Sequence, residues 1–191
     1  MKTRDESVDP SKSVRAFPDK PYLRSLVRDL NDPEISILMI AKSRQLTVTW
    51  LVCVYLCWRA RFFPNQLIFI QSKKEEDAAN LVFSKVAGNA RISFVEENLP
   101  WWMQQTLIPS MGQLLYPNAS KIWGIPQGAD IVRSYTASIL FSDEFAFQPF
   151  AEDAYKAARP SAKKIVGVSS ANPGFMGRLC GFQKTHSVVA A

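Results

Sequence analysis

The sequence predicts an α/β fold of three layers, a mainly parallel central sheet flanked by helices on both faces. Four apolar runs, Ile35 to Ile40, Leu67 to Gln71, Ser138 to Phe141 and Lys164 to Val168, are short enough for buried strands and alternate with helical stretches. Three of them run into polar clusters, KSRQ, SDE and SSAN, and the strand C-termini of a parallel sheet share the edge where ligands bind. With 191 residues, 47% of them hydrophobic and 12% aromatic, the chain can fill one core and lacks the composition of a disordered segment.

The opening MKTRDESVDPSKS mixes charge, serine and proline with no apolar run, so residues 1–20 read as a flexible tail rather than a signal peptide. Pro21 to Leu30 carries apolar residues at 22, 23, 26, 27 and 30, the spacing of an amphipathic helix. After the first strand, Thr49 to Phe63 is apolar nearly all round, which fits a buried helix. Lys74 to Val86 follows the second strand as an amphipathic helix, with Glu75, Glu76 and Asp77 in the first turn where the helix dipole favours acids. Ile92 to Gln105 has no clear period, and its Trp101 and Trp102 suit either core, an interface or ligand stacking. Gln113 to Pro126 reads as a hairpin turning at Pro117-Asn118. Ala151 to Arg159 is helical and is expected to stop at Pro160, and Ser169 to Gly174 is a loop by composition. The globular domain is thus expected over 21–185, with a short tail over 186–191 and no internal repeat.

Composition removes several classes of function. The longest apolar run, Trp50 to Trp58, is too short for a bilayer and is bordered by Arg44, Arg59 and Arg61. Cys53, Cys57 and Cys180 form no even disulfide set, and the lone C-x-x-x-C lacks the second pair a zinc site needs, so buried thiols in a reducing compartment are expected. A single histidine, His186, excludes histidine metal clusters and argues against a Ser-His-Asp triad. The net charge is +6, and residues 154–191 hold Lys156, Arg159, Lys163, Lys164, Arg178 and Lys184 without one acid. Such a stretch is either a solvated basic face or a surface for a polyanion.

The chemistry concentrates at the strand ends. Lys42 to Thr49, KSRQLTVT, stands between a strand and a buried helix, where a phosphate-binding loop G-x-x-x-x-G-K-[ST] belongs. Thr49 keeps the hydroxyl for magnesium, while Thr47 replaces the last glycine and Val48 the lysine. Either the segment is no phosphate loop, or its lysine has moved to Lys42. SILFSDE supplies the complement: Asp143 to hold magnesium through water and Glu144 to orient or deprotonate an attacking water, unless the acids merely cap a helix.

Taken in series, these motifs resemble the ATPase domain of the large terminase subunit, the viral DNA-packaging motor, from about Tyr22 to Leu179. The family's deviant Walker A loop is similar to Lys42-Ser43-Arg44-Gln45-Leu46-Thr47-Val48-Thr49-Trp50, with the lysine at the front. The resemblance extends through Ile68 to Ser72 and through Gly124-Ile125-Pro126 to Thr136. It then takes in ILFSDEFAF, Ile139 to Phe147, as Walker B with its catalytic glutamate. It implies a P-loop NTPase of the RecA-like, ASCE type that binds ATP and Mg2+. Lys42 would sit on the phosphates, Arg44 would sense or contact the nucleotide, Thr49 and Asp143 would support magnesium, and Glu144 would activate water. SSANPG is similar to the family's coupling motif, which assigns Ser169, Ser170 and Asn172 to transmitting hydrolysis to DNA.

Arg133, ten residues before Asp143, matches an arginine that several large terminases extend to the nucleotide of a neighbouring ring subunit; the alternative is a surface pair with Asp130. Pro21-Tyr22 would either help stack adenine or pack its helix. The resemblance further implies double-stranded DNA, a portal protein and a small terminase subunit as partners. It also implies a ring on the procapsid from a subunit monomeric in isolation, and the cytoplasm of a bacterial host. The family usually continues into a nuclease domain with clustered acids, which this sequence does not contain, so no cleavage activity is expected. A helicase-like ATPase and a noncatalytic nucleotide- or DNA-binding remnant are the competing assignments.

Overall fold

The computed structural model describes residues 1–4, 13–83, 90–110, 112–172, 174–182 and 186–190, with side chains to Cys180. Its centre is an eight-stranded sheet. In chain order the strands are β3 (Ile37–Lys42), β4 (Leu67–Gln71), β5 (Ile108–Ser110), β6 (Gln113–Leu115), β7 (Lys121–Gly124), β8 (Ala137–Asp143), β9 (Ala162–Ser169) and β10 (His186–Ala190). The spatial order is β10-β3-β9-β8-β4-β7-β6-β5, parallel from β10 to β7 and antiparallel through β7-β6-β5. All four strands expected from apolar runs are present, and the Gln113 hairpin is β6–β7, closed by the Tyr116 amide donating to the Ser120 carbonyl at 2.9 Å.

The period of two along each strand builds the layers. Leu38, Ile40, Ile68, Ile70, Ile139, Phe141, Val166 and Val168 face one core, while Met39, Phe69, Leu140 and Ile165 face the other. The first core is covered by α1 (Pro21–Asn31), α2 (Val48–Phe62), α3 (Glu75–Val82) and α4 (Arg91–Glu97). The second is covered by α5 (Asp130–Ser134), α6 (Ala151–Ser161) and α7 (Phe175–Phe182). Full burial of each large apolar side chain contributes roughly 1.5–3 kcal/mol. α2 has no polar face because sheet, α1 and α4 enclose it, as the all-round apolar sequence requires. Gly124 lets α3 press on β7, since a Cβ there would stand 2.5 Å from the Ala78 carbonyl oxygen.

A buried polar network crosses the first core. Arg61 of α2 pairs with Glu96 of α4 and donates to the Met103 carbonyl, and the Tyr116 hydroxyl donates to Glu96 Oε1 at 2.8 Å. Burial raises the Tyr116 pKa well above its ordinary value. Cys53 and Cys57 are buried and unpaired, with burial pushing the Cys53 thiol up to about 12. Among the described residues no helix is long and apolar enough to cross a membrane.

The structure corrects three expectations and narrows a fourth. Residues 1–20 do not form a wholly irregular tail: β1 (Lys2–Arg4) and β2 (Val14–Ala16) pair antiparallel, with Thr3 fully buried between neighbours. Residues 186–190 are β10, not a tail, pairing parallel with the edge of β3 from His186 opposite Leu38 to Ala190 opposite Lys42. Of the alternatives open for Trp101 and Trp102, core packing is excluded, since they are 84% and 67% exposed in a short 3-10 turn over Trp101–Met103. Pro160 does not end its helix, which reaches Ser161; the Ser161 hydroxyl donates to the Ala157 carbonyl at 2.7 Å and supports this last turn.

Candidate functional site

The parallel register brings three loops to one edge. β9 lies between β3 and β8, so Ala41 stands opposite Ser169 and Asp143 opposite Val168. The loop after β3, the acids ending β8 and the polar segment after β9 therefore converge, though 94 residues separate Thr49 from Asp143.

The Lys42–Thr49 segment contains no glycine, yet two of its residues lie in the region that favours one. Gln45 and Thr47 take the left-handed conformation, with φ of 66° and 61°. Such angles are disfavoured for non-glycine residues, above all a β-branched one. Between them, the Leu46 carbonyl accepts a 3.1 Å hydrogen bond from the Tyr22 hydroxyl, so Tyr22 of α1 supports the loop directly. Thr47 sits at the N-cap of α2 and makes no side-chain cap bond. Thr47 thus leaves the first-turn amides of this 15-residue helix uncapped by its side chain, and such a helix end favours anions. Val48, where the ordinary loop has lysine, is buried in the first core.

Around this loop lies a cavity of about 520 Å³ lined by Lys42, Gln45 to Trp50, Arg91, Arg4 and Arg15. Ser43 and Arg44 are exposed and do not line it. Two of its lining residues reach Asp143, which is itself outside the lining: the Thr49 hydroxyl donates to Asp143 Oδ1 at 3.0 Å, and Arg91 approaches Asp143 Oδ2 at 3.9 Å. Asp143 is buried, and burial raises its pKa; Arg91, the Thr49 hydrogen bond and Lys42 act in the opposite direction, while Glu144 adds to the rise. Arg91 also lies over the Trp50 ring, 5.7 Å from its centroid. It occupies the first turn of α4, where the helix dipole disfavours a cation, so its partners hold it there.

The turn after β8 is strained and clamped. Glu144 is exposed, with φ 53° and ψ 37°, and lies outside the cavity lining. Buried Gln148 donates to the Ser142 hydroxyl and the Asp143 carbonyl, both at 2.8 Å. From the β9 loop, Ser169 Oγ accepts from the Ala146 amide at 3.2 Å and Asn172 Nδ2 donates to the Ala146 carbonyl at 2.9 Å. Ser169 and Asn172 thereby grip one residue, two positions beyond Glu144. Ser170 is half-buried beside them, and Pro173 of the same motif lies outside the described residues.

Arg133 is 64% exposed on α5 and stands 3.8 Å from the fully exposed Asp130 carboxylate. The basic C-terminal stretch is partly engaged: Lys156 and Arg178 both pair with Glu152, and Lys164 Nζ donates to the Leu30 and Asp32 carbonyls at the end of α1. Arg4, Arg15, Arg91 and Gln148 had no motif to mark them. For Arg91 the one available signal was a cation opening a helix.

No protein-family model matches the sequence, and no curated protein matches it. Solved structures do. The HK97 bacteriophage large terminase superposes with a TM-score of 0.66 at 14% identity, over 92% of this chain and 39% of that one. The large terminase of a thermophilic bacteriophage in complex with ADP gives 0.65 at 12% identity, over 90% and 45%. The Thermus phage P74-26 large terminase ATPase domain gives 0.60 at 16%, over 92% and 81%. The chain thus spans less than half the length of the first two and most of an isolated ATPase domain. At these identities the likeness establishes the fold, which is that of large-terminase ATPase domains.

Proposed function

We propose that this chain is the ATP-hydrolysing motor domain of a viral large terminase subunit, driving double-stranded DNA into a procapsid. The observation that carries it is the 3.0 Å hydrogen bond from Thr49 to Asp143, which unites the ends of two distant motifs beneath a cationic cavity. Paired hard oxygen donors beside a helix N-terminus suit a magnesium nucleotide. One of the similar structures is an ADP complex, which supports nucleotide binding.

Lys42, at the end of β3 and lining the cavity, would take the place of the lysine that Val48 cannot supply and bind the phosphates with the amides of residues 43–49. Bound magnesium, held by Thr49 and Asp143, would neutralise charge on the phosphate oxygens. Glu144 would accept the proton of the attacking water, its strained turn placing the carboxylate once nucleotide is bound. Arg44, exposed on the loop, would contact the nucleotide. Arg133, exposed and only loosely paired, would reach a neighbouring subunit's site in a ring on the portal. Ser169 and Asn172, with Ser170, would relay movement of the Glu144 turn toward DNA. The small terminase subunit, the portal and the host cytoplasm belong to the same proposal.

A noncatalytic remnant is the second reading, and one observation favours it: Glu144 does not line the cavity. Calorimetric titration of ATP with and without magnesium tests the shared premise. The wild type is expected to bind, Lys42→Ala to lose at least about tenfold in affinity, and Thr49→Val to lose most of the magnesium dependence. Absence of binding by the wild type would refute the proposal.

A further inference from the structure

Three of the cavity's cations come from outside the Lys42–Thr49 loop, Arg91 of α4 and two from the N-terminal strand pair. Arg4 lies on β1 and Arg15 on β2, and both line the cavity with Lys42, Thr47 and Thr49. The strand pair is fixed in place: Thr3, the register partner of Arg15, is fully buried, and the Phe17 amide donates to the Met1 carbonyl at 3.0 Å. The Arg4 guanidinium sits 4.3 Å from the centroid of the Phe94 ring, and its Nε is buried with no hydrogen-bond acceptor among the described residues. The stacking on Phe94 orients this guanidinium at the cavity wall, where its planar fork of donors can meet an anionic ligand.

The charge around the cavity identifies that ligand's class. Arg4, Arg15, Lys42 and Arg91 line it, and the buried acid next to it, Asp143, is already met by Thr49 and Arg91. A guanidinium offers a planar fork of donors that matches phosphate oxygens, and it remains charged at any accessible pH. We infer that Arg4 and Arg15 are phosphate-binding residues supplied in cis by the N-terminal strand pair, which adds a second cationic wall to the site and favours a nucleoside triphosphate over its diphosphate. This rests on the nucleotide reading above and adds to it a part of the chain that no motif marks.

The test is titration of ATP, ADP and inorganic tripolyphosphate, each with magnesium, into the full chain and its Arg4→Ala, Arg15→Ala, Arg28→Ala and Lys42→Ala variants. Arg28 is an exposed residue of α1 that removes the same charge away from the cavity. Arg4→Ala and Arg15→Ala are each expected to weaken ATP and tripolyphosphate by about tenfold or more and ADP by less, while Arg28→Ala changes affinity by less than about threefold. Arg15 is exposed, so its variant reads the site without disturbing the core, and Arg15→Lys is expected to recover part of the loss. If Arg4→Ala and Arg15→Ala bind ATP within twofold of wild type while Lys42→Ala loses binding, the role of the strand pair is overturned and the nucleotide site stands. If Lys42→Ala binds as well as the wild type, the nucleotide site itself falls, and the role of the arginines with it.

Discussion

Replacing Thr47 by glycine isolates the loop's main departure from the ordinary phosphate-binding sequence. Thr47 holds φ 61° and ψ 9°, where an L-residue is disfavoured by roughly 1–2 kcal/mol. Its side chain is half-buried and makes no cap hydrogen bond, so truncation removes little beyond the strain. Glycine returns about 0.5–1 kcal/mol of that gain through the greater freedom of the unfolded chain. The net expectation is a stabilisation of about 0.5–1 kcal/mol, or a rise in Tm of roughly 1–4 °C for a chain of this length. Scanning calorimetry of the nucleotide-free protein reads it, and a parallel ATP titration should show affinity changed by less than about threefold, because the backbone already has the angles glycine would choose. A fall in Tm of more than about 2 °C would refute this, since Thr47 would then make a contact worth more than its strain.

Asp143→Asn should raise the Tm of the nucleotide-free protein near neutral pH and abolish magnesium-dependent ATP binding. Because burial raises the Asp143 pKa on folding, the carboxylate's contribution is most favourable while it is protonated, below its unfolded pKa, and is lost as pH rises through the raised folded value. The Tm advantage of the variant should therefore shrink toward acid pH, and a constant difference between pH 4 and 8 would contradict it. Glu96→Ala strands the buried Arg61 cation and should cost about 3–5 kcal/mol, whereas Arg61→Met combined with Glu96→Leu should recover most of that in denaturant titrations. Asn172→Ala removes one of two clamps on Ala146 and should cost only about 1 kcal/mol of stability. Its DNA-stimulated ATPase rate should fall at least about tenfold with basal turnover nearly unchanged, and equal loss of both rates would argue against a coupling role.

Much of the fold was legible because buried parallel strands leave continuous apolar runs, as in Ile35 to Ile40 and Ser138 to Phe141. The converging loops were legible for the same reason, since parallel strands fix which ends share an edge. What escaped depends on nonlocal pairing. The three-residue strands β1, β2 and β5 are too short for a period, and β10 exists because β3 offers a free edge. Arg4, Arg15 and Arg91 are ordinary surface cations by sequence, and only tertiary packing brings them to the cavity. Gln148 likewise has no motif, yet it holds the turn between Ser142 and Asp143.

The central proposal is magnesium-dependent ATP turnover in which Glu144 activates water, and comparison of wild type with Glu144→Ala tests it most directly. At high protein concentration with double-stranded DNA, where Arg133 can reach a neighbour, the wild type is expected to release phosphate from ATP. Glu144→Ala is expected to bind ATP as tightly and turn over at least about a hundredfold more slowly. Turnover absent in the wild type, or unchanged in the variant, would contradict a motor built on this site.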